Sequence, residues 1–213
     1  MKTIDLQQAI QQLRTKDEPK EIIARAINEV FSFKSNKILK SIAILISLIL
    51  SYLIDKSNNT CNLIRDFTID FNVLLIAIFG ILFTGYSIFQ ALLDERIIVS
   101  LLTVSESDDS EVSFLKRTNE YFSNTMLTMF STILINLCIS IFLKIDIFTN
   151  IIYNTNNYKY IFLHIAYILI LIINFFCFIE VKSFIFNIFN IFNLQCANKA
   201  YQYMENEMEN EEV

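Results

Sequence analysis

Tryptophan is absent from this 213-residue chain; proline occurs once, glycine twice and histidine once, and charged residues make up only 18%. A water-soluble domain of this length carries more charge and more turn-forming residues, so the deficit excludes an ordinary soluble globule. One histidine, His164, cannot by itself assemble a metal site. A Ser-His-Asp arrangement around it would need an acid to orient the ring, and no Asp or Glu lies inside any of the long apolar runs. The four cysteines show no CxxC or CxxxH spacing, so neither a zinc site nor a disulfide framework is indicated. There is no Gly-rich phosphate loop, no HExxH and no GxSxG. The net charge is −5 with the basic residues scattered, which gives nucleic acid no electrostatic footprint. No cofactor is expected, and an enzyme is the least supported class.

What the chain does have is apolar length, with 54% hydrophobic residues. Crossing a hydrocarbon core of ~30 Å takes about 20 apolar residues in a helix. Four stretches meet that need: Ile38 to Ile54, Phe71 to Leu93, Tyr121 to Leu143 and Tyr160 to Ile179. Lys40 is expected to snorkel from the start of the first. Residues 1–35 are polar and charged, unlike a cleavable signal peptide. With the N-terminus in the cytosol, thirteen of the 17 Lys and Arg residues fall on the inner side. Inner loops hold the excess of cations, so both termini are expected in the cytosol, most simply at a bacterial inner membrane.

The expected fold is all-α: a four-span helical membrane protein, two hairpins with cytosolic helical extensions. Residues 1–35 read as amphipathic cytosolic helices, with Ile22, Ile23, Ala26, Ile27 and Val30 at helical spacing in the second. Pro19 and acidic residues mark the start of that helix. Residues 36–104 form the first hairpin and its extension, with an outer loop from Asp55 to Asp70. Residues 105–117 are an acidic cytosolic loop, 118–196 the second hairpin with its extension and an outer loop from Lys144 to Lys159, and 197–213 an acidic solvated tail.

The segment "SFIFNIFNIFNLQ" (Ser183 to Gln195) repeats Phe and Asn every three residues. A strand alternates every two, so this is a helix, with Asn187, Asn190 and Asn193 on one side at about 100° per residue. From Tyr160 to Leu194 the helix measures ~52 Å at 1.5 Å per residue, more than a bilayer core holds. Its polar face has no Lys or Arg, which headgroup-binding helices usually carry. It is therefore expected to pack on protein, most plainly on the extension after Arg96, through Ile97 and Leu101 against Ile188, Phe189 and Phe192.

Two intramembrane features stand out. Ala77, Gly80, Thr84, Ser87 and Ala91 make a stripe of small side chains, of the kind that lets helix backbones approach in lipid. Asn136, Ser140, His164 and Asn174 are polar groups within the third and fourth spans; His164 is expected to hydrogen-bond to Asn136 or Ser140. The functional expectation is a non-enzymatic membrane scaffold, sensor or effector that presents cytosolic helices to a protein partner or to a second copy, with lipid around its spans. Small four-span proteins of this layout occur in bacterial defence and immunity systems. The alternative is a homo-oligomeric channel lined by the third span.

Overall fold

The computed structural model describes residues 5–14, 18–33, 36–57, 60–93, 95–104, 112–145 and 157–211. Among these the chain is helical, in seven elements: α1 (Leu6–Arg14), α2 (Pro19–Phe31), α3 (Lys37–Asp55), α4 (Thr60–Leu92), α5 (Glu95–Thr103), α6 (Phe114–Lys144) and α7 (Asn157–Glu211). Four stretches within α3, α4, α6 and α7 are long and apolar enough to cross a membrane: Lys37–Asp55, Thr60–Ala91, Phe114–Lys144 and His164–Tyr201. The expected acidic loop lies mostly outside the described residues, as do positions 146–156 of the second expected outer loop. Beside the acidic loop, Phe114 N–H donates to the Val104 carbonyl at 2.9 Å.

One expectation about loops is corrected. The segment from Asp55 to Asp70 is not a loop: α4 begins at Thr60, leaving a connection of four residues after α3. Arg65, Asp66 and Asp70 hid this, because they interrupt the apolar run without interrupting the helix. Cys61, Ile64 and Thr68 are buried at helical spacing on the same turns. Thr60 Oγ1 closes the connection by donating to the carbonyls of Ser57 (3.0 Å) and Ile54 (3.3 Å). The acidic tail is helical too, since α7 continues without a break through Glu211.

The chain divides into two units, and α4, α6 and α7 contribute to both. Unit 2 holds Ile23–Ile81 and Asn124–Lys182. In it α3 and α6 both run antiparallel to α7, as the order of their paired residues shows. Ile54, Ile64, Leu143, Tyr167 and Leu171 form one core, and Val30, Ala43 and Phe176 a second. Phe71 of α4 packs edge-on against Phe175 and tilted against Phe178, with centroids 5.5 and 5.8 Å away. Unit 1 holds Met1–Ile22, Leu82–Ser123 and Ser183–Val213. Here α1 packs on α5, and Gln12 Oε1 accepts from the Ser113 N–H at 3.1 Å. Tyr86, Phe89, Phe122 and Phe184 form an aromatic cluster, the Phe122 and Phe184 rings lying 4.5 Å apart.

Candidate functional site: a buried polar seam

The buried face of α3 is Lys40, Ala43, Ser47, Ser51 and Ile54, spaced three and four apart. Small side chains on that row allow α3 to lie close to α7, and they also place polar groups inside the bundle. Lys40 does not snorkel; it is fully buried. Its ammonium donates to the backbone carbonyls of Val30 (2.7 Å) and Ser32 (2.8 Å). The Glu180 carboxylate on α7, also buried, lies 3.0 Å away. Two of the ammonium's N–H groups thus go to the carbonyls, and Glu180 faces it as an ion pair rather than as a third aligned hydrogen bond. The Phe176 ring adds a weaker attraction, with its centroid 5.4 Å from Nζ.

This contact has a local cause. Helix α2 ends at Phe31, and the last carbonyls of a helix lack intrahelical donors and carry the negative end of its dipole. Lys40, in the first turn of α3, reaches back to supply both missing donors and charge. The reversal that permits this includes Asn36 in the left-handed region (φ 56°, ψ 32°), which Asn tolerates better than most residues. Glu180 then neutralises an ammonium that would otherwise be buried uncompensated. A second polar tie holds α2 to α6, where Asn124 Nδ2 donates to Glu29 Oε2 at 2.7 Å.

Further along the bundle the polar groups pair across helices. Thr132 Oγ1 and Cys177 Sγ are 3.2 Å apart. Asn136 and Asn174 exchange reciprocal amide hydrogen bonds of 2.8 and 3.2 Å, both side chains fully buried. Asn174 also donates to the Ile170 carbonyl of its own helix. At the far end Ser51 Oγ lies 3.1 Å from His164 Nε2. So His164 pairs with α3, not with Asn136 or Ser140; Ser140 donates to the Leu137 carbonyl of its own turn. Along α7, Leu171 and the buried Tyr167 lie between the Asn pair and His164. These contacts tie α3 and α6 to α7 at fixed register and rotation. A double-mutant cycle on Asn136→Ala and Asn174→Ala is expected to give a coupling of about 1 kcal/mol in detergent unfolding, within the ~0.6 to ~1.7 kcal/mol typical of interhelical bonds in membrane bundles. Zero coupling would mean that the two amides are not paired.

The small-residue stripe is placed differently from the simplest reading. Ala77, Gly80, Thr84, Ser87 and Ala91 all lie on the exposed side of α4 within this single chain. A Cβ at Gly80 would meet nothing within 4 Å, whereas one at Gly85 would come within 3.3 Å of Ile188 Cδ1. The close helix approach is therefore at Gly85, between α4 and α7 in unit 1. On α5, Ile97 and Leu101 are buried and the helix packs on α1, while on the extension of α7 the expected contact residues Phe189 and Phe192 are exposed. The covered residues are Phe184, Ile191 and Gln195, with Ile188 against α4 at Gly85. Sequence reasoning missed the Lys40–Glu180 pair altogether. Glu180 follows directly on the fourth apolar run, and its partner is 140 residues away in the sequence.

No family model, no curated protein and no solved structure matches this chain.

Proposed function

We propose that this chain is a non-enzymatic integral membrane scaffold, sensor or effector, inserted as two hairpins with both termini in the cytosol, that presents helices beyond the bilayer to a protein partner. The observation that carries the reading is α7. It has 55 residues, ~82 Å at 1.5 Å per residue, against the ~30 Å of a hydrocarbon core. Past Lys182 it keeps Phe186, Phe189, Phe192, Tyr201 and Tyr203 exposed. Exposed aromatics on a helix that outruns the bilayer are the features of a binding surface, and the neutral Asn residues among them suit protein better than anionic headgroups. The layout fits a bacterial inner-membrane defence or immunity component.

The channel alternative has less support. Of the polar row of the third span, Thr125, Thr132 and Asn136 are buried inside the single chain and only Thr128 and Ser140 are half-buried, so most of the row is not left over to line a pore between copies. Two measurements test the proposal together. A membrane-impermeant maleimide added to intact cells should modify a cysteine placed at Lys56 and spare Cys196 and a cysteine at Tyr203. The purified protein in planar bilayers should carry no current. Labelling at Tyr203 would overturn the orientation, and a steady single-channel conductance would return the channel.

A further inference from the structure

We propose that α2 is an interfacial membrane helix, with the row Ile23, Ile27 and Phe31 immersed in the headgroup–acyl boundary of the membrane that α3 crosses. The inference rests on the membrane-spanning reading of α3, and the experiment below separates the two.

One side of α2 is already committed to the bundle. Ala26 and Val30 are buried, and Glu29 is bound by Asn124 of α6. The adjoining side is not covered: Ile23 is 50%, Ile27 51% and Phe31 44% exposed. These three are four residues apart and form one row. Lys20, exposed, shares that arc at about 100° per residue, while Glu21 and Asn28 point away from it.

What covers the row follows from where α2 ends. Its last carbonyls are held by Lys40, in the first turn of α3. The rings of Phe31 and Phe33 pack on Phe176 of α7, at centroid distances of 5.9 and 6.1 Å, about one turn from Glu180. The C-terminal end of the row is thus pinned to the level at which the span begins. From there the apolar surface continues into Ile38, Leu39 and Ile42, exposed residues of α3 that face hydrocarbon if α3 crosses the membrane. A 13-residue helix tied at that depth can bury its remaining apolar row most directly in the same lipid. Lys20 and the exposed Lys37 are placed to reach the phosphate level, since a long cationic side chain can lie along apolar surface with its head in the polar region. Mixed charge along α2 argues against a purely electrostatic anchor; the structure supplies an apolar one, with the electrostatic part reduced to these flanking lysines.

The chain contains no tryptophan, so a single introduced one is an unambiguous reporter. The variants are Ile27→Trp on the proposed lipid row, with Ile23→Trp as a second reporter, Leu45→Trp on the outward face of α3, and Asn28→Trp on the exposed polar side of α2, about 100° round from Ile27. Each is reconstituted into vesicles of zwitterionic and anionic phospholipid brominated either near the top or near the end of the acyl chains. Ile27→Trp and Ile23→Trp should show blue-shifted emission and stronger quenching by the shallow bromines. Leu45→Trp should be quenched more by the deep ones, and Asn28→Trp by aqueous iodide. Iodide quenching of both row positions like that of Asn28→Trp would overturn the proposal. So would protection of both from bromine and iodide alike, which would put a second copy or another protein on the row. If Leu45→Trp also escapes bromolipid, the spanning reading of α3 fails, and the inference fails with it.

Discussion

Glu180→Leu is expected to destabilise the chain by about 3–5 kcal/mol, the usual cost of stranding one member of a buried ion pair. The loss is not mainly that of an attraction. Removing the carboxylate leaves the Lys40 ammonium at full burial, bound by two backbone carbonyls that offer partial charge only. Lys40→Met in the parent chain should cost a similar amount, by leaving Glu180 uncompensated. The combination Lys40→Met with Glu180→Leu should recover most of the loss, because it removes both desolvation penalties and replaces them with apolar volume. A residue of about 1–2 kcal/mol should remain, since Val30 and Ser32 still lack the donor that closed the end of α2. Equilibrium unfolding in mixed micelles reads all three, with the exposed Lys182→Leu as the reference. A Glu180→Leu variant no weaker than Lys182→Leu would show that the pair is not formed.

The recovery pattern also bears on what the pair is for. If its role were only to hold the bundle together, the apolar double variant would be a full substitute. The same variant releases α2 from α3 at its C-terminal end, so protease sensitivity between Phe31 and Lys37 should rise even where global stability has returned. That difference separates a contact that merely stabilises from one that fixes the position of α2.

Much of the helical layout was readable from hydropathy, because a spanning helix has to be apolar for about 20 residues whatever it packs against. Apart from α7, which runs on through the tail to Glu211, the runs sit inside helices whose ends differ from the expected ones by at most seven residues, with one exception. The exception, the start of α4, shows the limit of the method. Arg65, Asp66 and Asp70 end an apolar window, yet a helix has no need to stop where its exposed face turns polar. The polar seam was less legible. Asn136 and Asn174 were visible as intramembrane polar groups, but which amide faces which depends on the rotations of α6 and α7, and periodicity on one helix is silent about the other. Lys40 at the start of an apolar run has two possible fates, reaching out to headgroups or turning inward to a counter-charge. The deciding residue, Glu180, is far away in sequence, and nothing local distinguishes the cases. The stripe from Ala77 to Ala91 permits a close approach without supplying anything to approach, so its exposure within one chain is consistent with its composition.

Phe184→Ala is expected to cost about 3–5 kcal/mol, and Phe189→Ala less than about 0.5 kcal/mol, although the two residues are five apart in the same repetitive segment. Phe184 is fully buried, its ring 4.5 Å from that of Phe122, within the cluster that includes Tyr86 and Phe89. Truncation leaves a cavity bounded by rigid rings, which collapse poorly. Phe189 is 62% exposed, so its truncation removes little that folding had covered. The contrast is informative because the sequence offers two nearly equivalent rows. Phe184, Ile188, Ile191 and Gln195 follow a spacing of four, three and four; Ile185, Phe189, Phe192 and Cys196 follow the same spacing one residue later. Both rows have the geometry of a helix-packing seam, and a rotation of about 100° exchanges them. Hydrophobicity alone favours the second, which has two Phe where the first ends in Gln. What selects the first is on the facing helices: Phe122 of α6 receives Phe184, and Gly85 of α4, lacking a side chain, lets Ile188 approach to where a Cβ would stand at 3.3 Å. Thermal unfolding of the two variants in the same detergent therefore reports the rotation of α7. If Phe189→Ala proves the more damaging, the second row is the covered one and the aromatic surface assigned to a partner is instead part of the core.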